Sequence, residues 1–316
     1  MKLQFSIIIP VYNRPQEIEE LLHSLVNQTY KEDFEVVIVE DGSTDICEGV
    51  VEYFSDRLNI KYLFKNNSGA GQSRNYGMQQ ANGNYFIILD SDVLLPNTYL
   101  ETVKKGLNAN FTDAFGGADA AHSSFTALQK AINYSMTSIF TTGGIRGKKK
   151  GVGKFQPRSF NMGLSKDAFN ETKGFSSLKY GEDIDLTFRL WKNGFETQFI
   201  ESAFVYHKRR STLKQFYTQT FNFGTARPIL NRMHPRSSKL TYWFPSVFVM
   251  GLDIAILLSL FLNWIFILPF GLYFLILFFD SLIQNKSLRV AFLSIITTYT
   301  QFLGYGLGFL KSTFKI

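Results

Sequence analysis

The chain has one cysteine, Cys47, in 316 residues. A lone thiol excludes an internal disulfide and a cysteine-based metal centre, and it fits a reducing compartment. A secretory leader is not expected either. The first apolar run, Phe5 to Ile9, is five residues long and stops at Pro10, where the core of a leader needs about 7–15. Charged residues make up only 19% and aromatics as much as 16%, which excludes an intrinsically disordered chain. The scarcest feature is acid in the last third. Residues 202–316 hold two acidic side chains, Asp253 and Asp280, against twelve Lys and Arg, whereas residues 1–201 hold 24 acidic and 21 basic. The net charge of +7 thus hides a region of net −3 followed by one of net +10. That asymmetry suggests a soluble unit joined to one that meets an anionic surface.

What is present in the first two-thirds is an alternation of short apolar runs and helical patterns. Phe5 to Ile9, Glu35 to Val39, Asn59 to Phe64 and Tyr85 to Leu89 are short, β-branched or aromatic, and read as buried strands. Pro15 fits the first turn of a helix, and Ile18, Leu21, Leu22, Leu25 and Val26 continue it at helical spacing. A second helix is expected up to about Ala81 and a third from Gly181 to Trp191, with a last strand ending at Val205-Tyr206-His207. Strands alternating with helices predict an α/β unit with a mainly parallel sheet over residues 1–210. Ligands of such sheets bind beyond the carboxyl ends of the strands. Tyr12-Asn13-Arg14, Asp41-Gly42-Ser43 and Asp90-Ser91-Asp92 all fall there. The Gly- and Lys-rich stretch from Thr141 to Lys154 reads as a mobile loop, with its basic part at 146–154.

From Ser202 to Leu252 there is no acidic residue but eight basic ones, with Phe216, Tyr217, Phe221 and Phe223 among them. Such a basic, aromatic segment, 211–240, reads as an interfacial element on anionic lipid. Residues 241–316 read as a membrane region of two to three helices. The runs Phe244–Leu262 and Trp264–Ile283 approach the ~20 residues a span needs, and Leu288–Leu310 is long enough but more polar. Trp243 and Trp264 sit at plausible interface positions. The connection around Asn263 carries no charge, and the next holds Lys286 and Arg289. The positive-inside rule therefore places the second connection, and the N-terminal unit with it, at the cytoplasmic face. Nucleic acid is not an expected partner, because the basic excess adjoins apolar spans rather than a recognition motif.

Three polar clusters could carry chemistry. Asp90-Ser91-Asp92 delivers two carboxylates onto a turn after an apolar strand, a geometry able to hold a divalent cation; the same triplet is also ordinary turn chemistry. Glu182-Asp183 opens a helix, where acidic residues are favoured electrostatically, and either could serve as a general base for a hydroxyl. His207 ends a strand beside three cations, as a metal ligand or as an interface residue.

Order and context combine these fragments. Ser6 through Arg14, Val39 through Asp45, Asn67 through Gly77, Leu89-Asp90-Ser91-Asp92 and Gly181 through Leu186 resemble, in that order, the inverting family 2 glycosyltransferases of GT-A fold. The resemblance covers about residues 4–210. It implies a nucleotide-diphosphosugar donor, commonly a UDP-sugar, and a divalent Mn²⁺ or Mg²⁺. It further implies that Tyr12, with Pro10 and Val11, covers the nucleobase and that Asp41 meets the base edge. Arg74 would line the nucleotide–sugar pocket, Asp90 would touch the ribose, with Ser91 beside it, and Asp92 would ligate the metal with help from His207. Asp183 matches the base, Glu182 supports it or the acceptor, and Ser159 to Gly163 matches a segment on the acceptor side.

Two departures narrow the expectation. The acidic pair after the second strand is Glu40-Asp41 here, so Asp41 alone is carried over. The Gln-x-x-Arg-Trp pattern of processive polysaccharide synthases is absent, and Gln219 to Phe223 does not supply it. The expected activity is therefore transfer of one sugar, with inversion, to a hydroxyl of a lipid-linked glycan. The alternatives are a polyprenyl-phosphate sugar synthase, which would need no general base, and a non-catalytic nucleotide-sugar-binding membrane protein.

Overall fold

The computed structural model describes residues 2–143 and 154–315. The basic loop read at 146–154 lies, Lys154 apart, outside the described residues. The chain divides into two compact units, Met1–His122 with Lys148–Lys208 and Ser123–Gly147 with Arg209–Ile316. This differs from the contiguous segments read from the sequence, since Ser123–Gly147 groups with the C-terminal unit.

The first unit is built on an eight-stranded mixed sheet. Its strands are β1 (Phe5–Val11), β2 (Glu35–Asp41), β3 (Asn59–Lys65), β4 (Tyr85–Leu89), β5 (Val93–Leu94), β6 (Ala114–Ala120), β7 (Asn161–Ser165) and β8 (Thr197–His207). Their order is β3-β2-β1-β4-β7-β6-β8-β5. The helices are α1 (Pro15–Val26), α2 (Glu48–Phe54), α3 (Ala70–Gln80), α4 (Tyr99–Ala109), α7 (Lys166–Thr172) and α8 (Glu182–Lys192). The first four strands read from the sequence form the parallel half, β3 to β4. β7 is antiparallel to both β4 and β6, β8 is parallel to β6, and the two-residue β5 is antiparallel to β8.

The sheet is covered on both faces, so its central strands carry apolar side chains at successive positions. Ile7 and Ile9 point into one core with Ile18, Leu21, Leu22 and Leu25 of α1. Ile8 points into the other with Met78 of α3 and Leu186 and Leu190 of α8. Each such side chain, fully buried, contributes about 1.5–3 kcal/mol. Packing is tight where β4, β6 and β7 meet. A Cβ on Gly163 would collide with the ring of Phe115, which is itself stacked on Tyr85 at 6.1 Å. Gly163→Ala is therefore expected to destabilise the protein by about 1–3 kcal/mol through overpacking, read as a lowered denaturation midpoint.

The second unit contains α5 (Ala127–Thr137), α6 (Ile139–Thr142), α9 (Leu213–Met233), α10 (Phe244–Phe261), α11 (Leu268–Asn285) and α12 (Leu288–Phe314). α9 lies against α12 at glycines. A Cβ on Gly224 would strike the Tyr305 carbonyl, and one on Gly308 the Phe221 carbonyl. Small residues of this kind allow close backbone approach between helices. Hydroxyls join α5 to α12, with Ser135 Oγ 2.6 Å from Thr297 Oγ1 and 3.1 Å from Thr298 Oγ1. The carboxylate of Asp280 accepts from Tyr134 at 2.7 Å, Ser138 at 3.2 Å and Gln284 at 2.9 Å, so this acid faces protein. Three segments, Leu240–Phe261, Trp264–Asn285 and Leu288–Phe314, are long and apolar enough to cross a membrane. Leu260, Phe261 and Ile283 are among the large apolar side chains left exposed on the first two.

Candidate active site

Three strand ends and one helix start place the polar residues of the first unit. β4 is apolar through Leu89 and releases Asp90, Ser91 and Asp92 into a turn before β5. β5 pairs with the end of β8 so that Val93 lies opposite His207. That pairing sets His207 Nε2 3.2 Å from Asp92 Oδ1. Arg14, just before α1, brings Nη1 to 2.9 Å from Asp92 Oδ2. Oxygens of Asp90 and Asp92 and a ring nitrogen of His207 lie within 4.8 Å of one another. Two carboxylates and one imidazole are donors that suit a cation such as Mn²⁺ or Mg²⁺, and the residues fit a divalent ion. The expectation named Asp92 and His207 for this ion; the geometry adds Asp90. Burial alone would pull the His207 imidazolium down, but the facing carboxylates of Asp92 and Asp119 outweigh it and raise the group to about 9.

Arg74 links this cluster to the start of α8. Its guanidinium is buried, with Nη2 2.6 Å from Asp90 Oδ1 and Nη1 2.9 Å from Glu182 Oε1. Gly181, in the left-handed region at φ 81°, turns the chain into α8 and delivers Glu182 and Asp183 together. Burial and the neighbouring Asp183 carboxylate push Glu182 up to about 7, against the opposing pull of Arg74. Asp183 accepts from the Ile184 amide at 2.8 Å and faces the Ser159 amide at 3.4 Å and Arg158 Nη1 at 3.8 Å.

The raised Glu182 has a consequence for stability. Between the ordinary value of 4.5 and about 7 the folded chain holds this proton and the unfolded chain releases it. Stability from this group is therefore complete below pH 4.5 and is lost as pH rises towards 7. Glu182→Gln is expected to flatten that part of the stability–pH curve, measured by denaturant titration at a series of pH values.

Asp41, at the end of β2, accepts from the Ser68 amide at 2.9 Å, the Gly69 amide at 2.8 Å and the Lys65 ammonium. Burial pulls its pKa up, but those donors outweigh it and hold the carboxylate below its ordinary range. It thereby clamps the 66–69 loop that leads into α3. Pro10 and Val11 are buried inside β1, opposite Val39 and Glu40. Tyr12 beyond them is half exposed, and Ser91 is buried in its turn. Asn13 holds the left-handed conformation at φ 53°, and its side chain accepts from the Thr44 and Asp45 amides at 2.8 and 3.0 Å. That ties the loop carrying Tyr12 to the end of β2.

Glu40 takes a structural part. It is fully buried and accepts from the Cys47 amide at 2.9 Å, Tyr62 at 3.0 Å and the Ser43 hydroxyl. Asn161 of β7, in the segment read as lining the acceptor side, is also fully buried. It accepts from Tyr99 at 2.6 Å and donates to the Ala203 carbonyl at 2.8 Å, so it braces the sheet.

Sequence reasoning placed Arg14 at the ligand-binding edge without a role, and it missed Arg158 and Asp119 as members of the site. Arg14 was visible in the turn after β1. Asp119 was hidden because Ala114–Ala120, rich in Ala and Gly, carries no β-propensity signal. Once that segment is known to be a strand, an acid near its carboxyl end follows the same rule as Asp90.

Comparison with known proteins supports the fold and the family. The poly(ribitol-phosphate) β-N-acetylglucosaminyltransferase TarS of Staphylococcus aureus is 37% identical over 114 residues, 35% of this chain and 20% of the enzyme. The chain thus spans about a fifth of that relative's length. The glycosyltransferase GlyG of Streptococcus pneumoniae is 25% identical over 268 residues, 82% of this chain and 85% of that protein. The mannosyltransferase PcManGT of Pyrobaculum calidifontis, solved with GDP-Man and Mn²⁺, shares the fold at a TM-score of 0.63 and 16% identity, covering 100% of this chain and 88% of that one. Residues 6–172, more than half of the chain, match the family profile Glycosyl transferase family 2, and the chain belongs to that family.

Proposed function

We propose that this protein is a membrane-associated inverting glycosyltransferase. It moves one sugar from a nucleotide diphosphosugar, a UDP-sugar, to a hydroxyl of a lipid-linked glycan at the cytoplasmic face. The observation that carries the reading is the pairing of two carboxylate clusters through one buried arginine: Asp90 and Asp92 with His207 on one side, Glu182 and Asp183 on the other, and Arg74 bonded to both. A divalent cation held by Asp90, Asp92 and His207 would neutralise charge on the departing diphosphate.

The chain's own residues do the rest. Asp183 takes the proton of the acceptor hydroxyl as its oxygen attacks the anomeric carbon and the bond to the diphosphate breaks. Attack from the face opposite the leaving group inverts that carbon. Arg74 fixes the separation of the two clusters, so the donor and the base stay in register. Tyr12 covers the nucleobase, and Asp41 meets its edge. The apolar segments of the C-terminal unit, with the basic residues 208–239 before them, hold the enzyme at a surface carrying lipid phosphates.

The test is release of nucleoside diphosphate by the detergent-solubilised protein across a panel of UDP- and GDP-sugars with lipid-linked acceptors. Turnover with one UDP-sugar, dependent on a hydroxyl-bearing acceptor, supports the reading. Transfer to bare polyprenyl phosphate, unaffected by Asp183→Asn, would replace it with a polyprenyl-phosphate sugar synthase. Tight UDP binding without turnover on any acceptor would leave a binding protein.

A further inference from the structure

We propose that Asp119 is a positioning residue that orients His207 for the cation site; this rests on the reading that Asp90, Asp92 and His207 hold a divalent ion. In the sheet, β8 lies between β6 and β5. The end of β8 therefore has a neighbour on each side. Val93 of β5 faces His207 directly, and Asp119 of β6 faces Val205, two residues earlier. His207 sits between the two acids, Nε2 3.2 Å from Asp92 and Nδ1 3.6 Å from Asp119 Oδ2. One ring nitrogen faces the candidate cation site, and the opposite one faces a carboxylate.

Local geometry shows how the two strands bring these groups together. Gly117 of β6 pairs with Ile200, but Asp119 pairs with Val205, so the extra residues lie on β8 and re-aim its end, which carries His207, beside Asp119. Gly117 makes the irregularity possible, because a Cβ there would overlap the Ala203 carbonyl. The Asp119 side chain is completely buried, at 0% exposure. A charged group so placed is strongly disfavoured unless it is paired. The imidazole is restrained from another direction by Phe160, whose ring stacks on it at 4.9 Å and 23°.

The chemistry follows from the two nitrogens. A neutral imidazole has one N–H and one lone pair. With a cation between Nε2, Asp90 and Asp92, the carboxylate facing Nδ1 keeps the N–H on that atom and leaves the Nε2 lone pair for the ion. Partners of this type fix ring orientation and raise ligand basicity, and their loss costs about 10–100-fold in metal affinity.

The experiment is titration of the metal-stripped, full-length protein with Mn²⁺, reading unbound ion by EPR, for wild type, Asp119→Asn, His207→Ala and the double variant. Asp119→Asn is expected to weaken Mn²⁺ by about 10–100-fold. In the His207→Ala background it is expected to add little, because its effect passes through that ring. An unchanged affinity in Asp119→Asn overturns the proposal, and so does an equal loss in both backgrounds, which would make Asp119 a remote charge. No Mn²⁺ binding by wild type overturns the cation reading itself. A second measurement covers failure of Asp119→Asn to fold. The chain has four histidines, and ¹⁵N-histidine NMR of the Mg²⁺-loaded wild type reports which nitrogen of His207 bears the proton. A proton on Nδ1 supports the assignment, and a proton on Nε2 overturns it.

Discussion

Asp183→Asn is expected to lower kcat for sugar transfer by about 10²–10⁴-fold, the contribution of a positioned general base, with little change in KM for the donor. Asn has nearly the same size and can still accept from the Ile184 amide, which lies 2.8 Å from Asp183 Oδ1. The start of α8 should therefore keep its geometry. What the amide loses is the ability to take a proton from the acceptor hydroxyl. The measurement is steady-state release of nucleoside diphosphate with donor and acceptor varied in turn. Retention of activity within a few-fold of wild type would remove Asp183 from the base role and point to Glu182, which shares its place at the helix start and is held by Arg74.

Asp92→Ala should act on the other half of the reaction. Asp92 is the residue on which Arg14 and His207 converge, and it supplies one of the oxygens within 4.8 Å of Asp90 and His207. Its removal is expected to cost at least about 10²–10³-fold in turnover, the size of losing one preorganised electrostatic partner at a developing charge. It should also abolish dependence of the residual rate on Mn²⁺ or Mg²⁺ concentration. Asp92→Asn separates charge from packing, since it keeps the volume between Arg14 and His207. If both variants retain cation-dependent turnover near wild type, the ion is held elsewhere and the grouping with His207 is incidental.

Much of the carboxylate cluster was legible in the sequence because it uses local signals. An apolar strand ending in acid is written in one stretch of chain, as in Tyr85 to Asp92, and so is the Gly181 turn into an acidic helix start. The parallel half of the sheet followed for the same reason, since each of its strands is a separate apolar run. The rest was not local. β6 and β7 are poor in β-branched residues, and they enter the sheet because partners from distant parts of the chain cover them. The resemblance gives Arg74 a place lining the nucleotide–sugar pocket and Asn161 a place in a segment on the acceptor side, without the partners of either. Their neighbours, 16 and 108 residues away for Arg74 and 62 for Asn161, make the first a bridge between two acids and the second a brace of the sheet.

The sequence by itself determined the alternation of strands and helices, the sheet edge at which Asp41, Asp90 and Asp92 emerge, and the split between a near-neutral unit and a basic, apolar one. Hydrophobic periodicity, turn chemistry and charge are properties of neighbouring residues, and they survive without a fold. Only the tertiary structure decided which acids work together. It gave Glu40 its partners, Ser43 and Cys47 after β2 and Tyr62 of β3, and it joined Asp90 to Glu182 through Arg74. It also set Asp119 behind His207 by placing β8 between β6 and β5. A buried charge takes its role from what surrounds it, and for these residues the surroundings come from chain segments far apart in sequence.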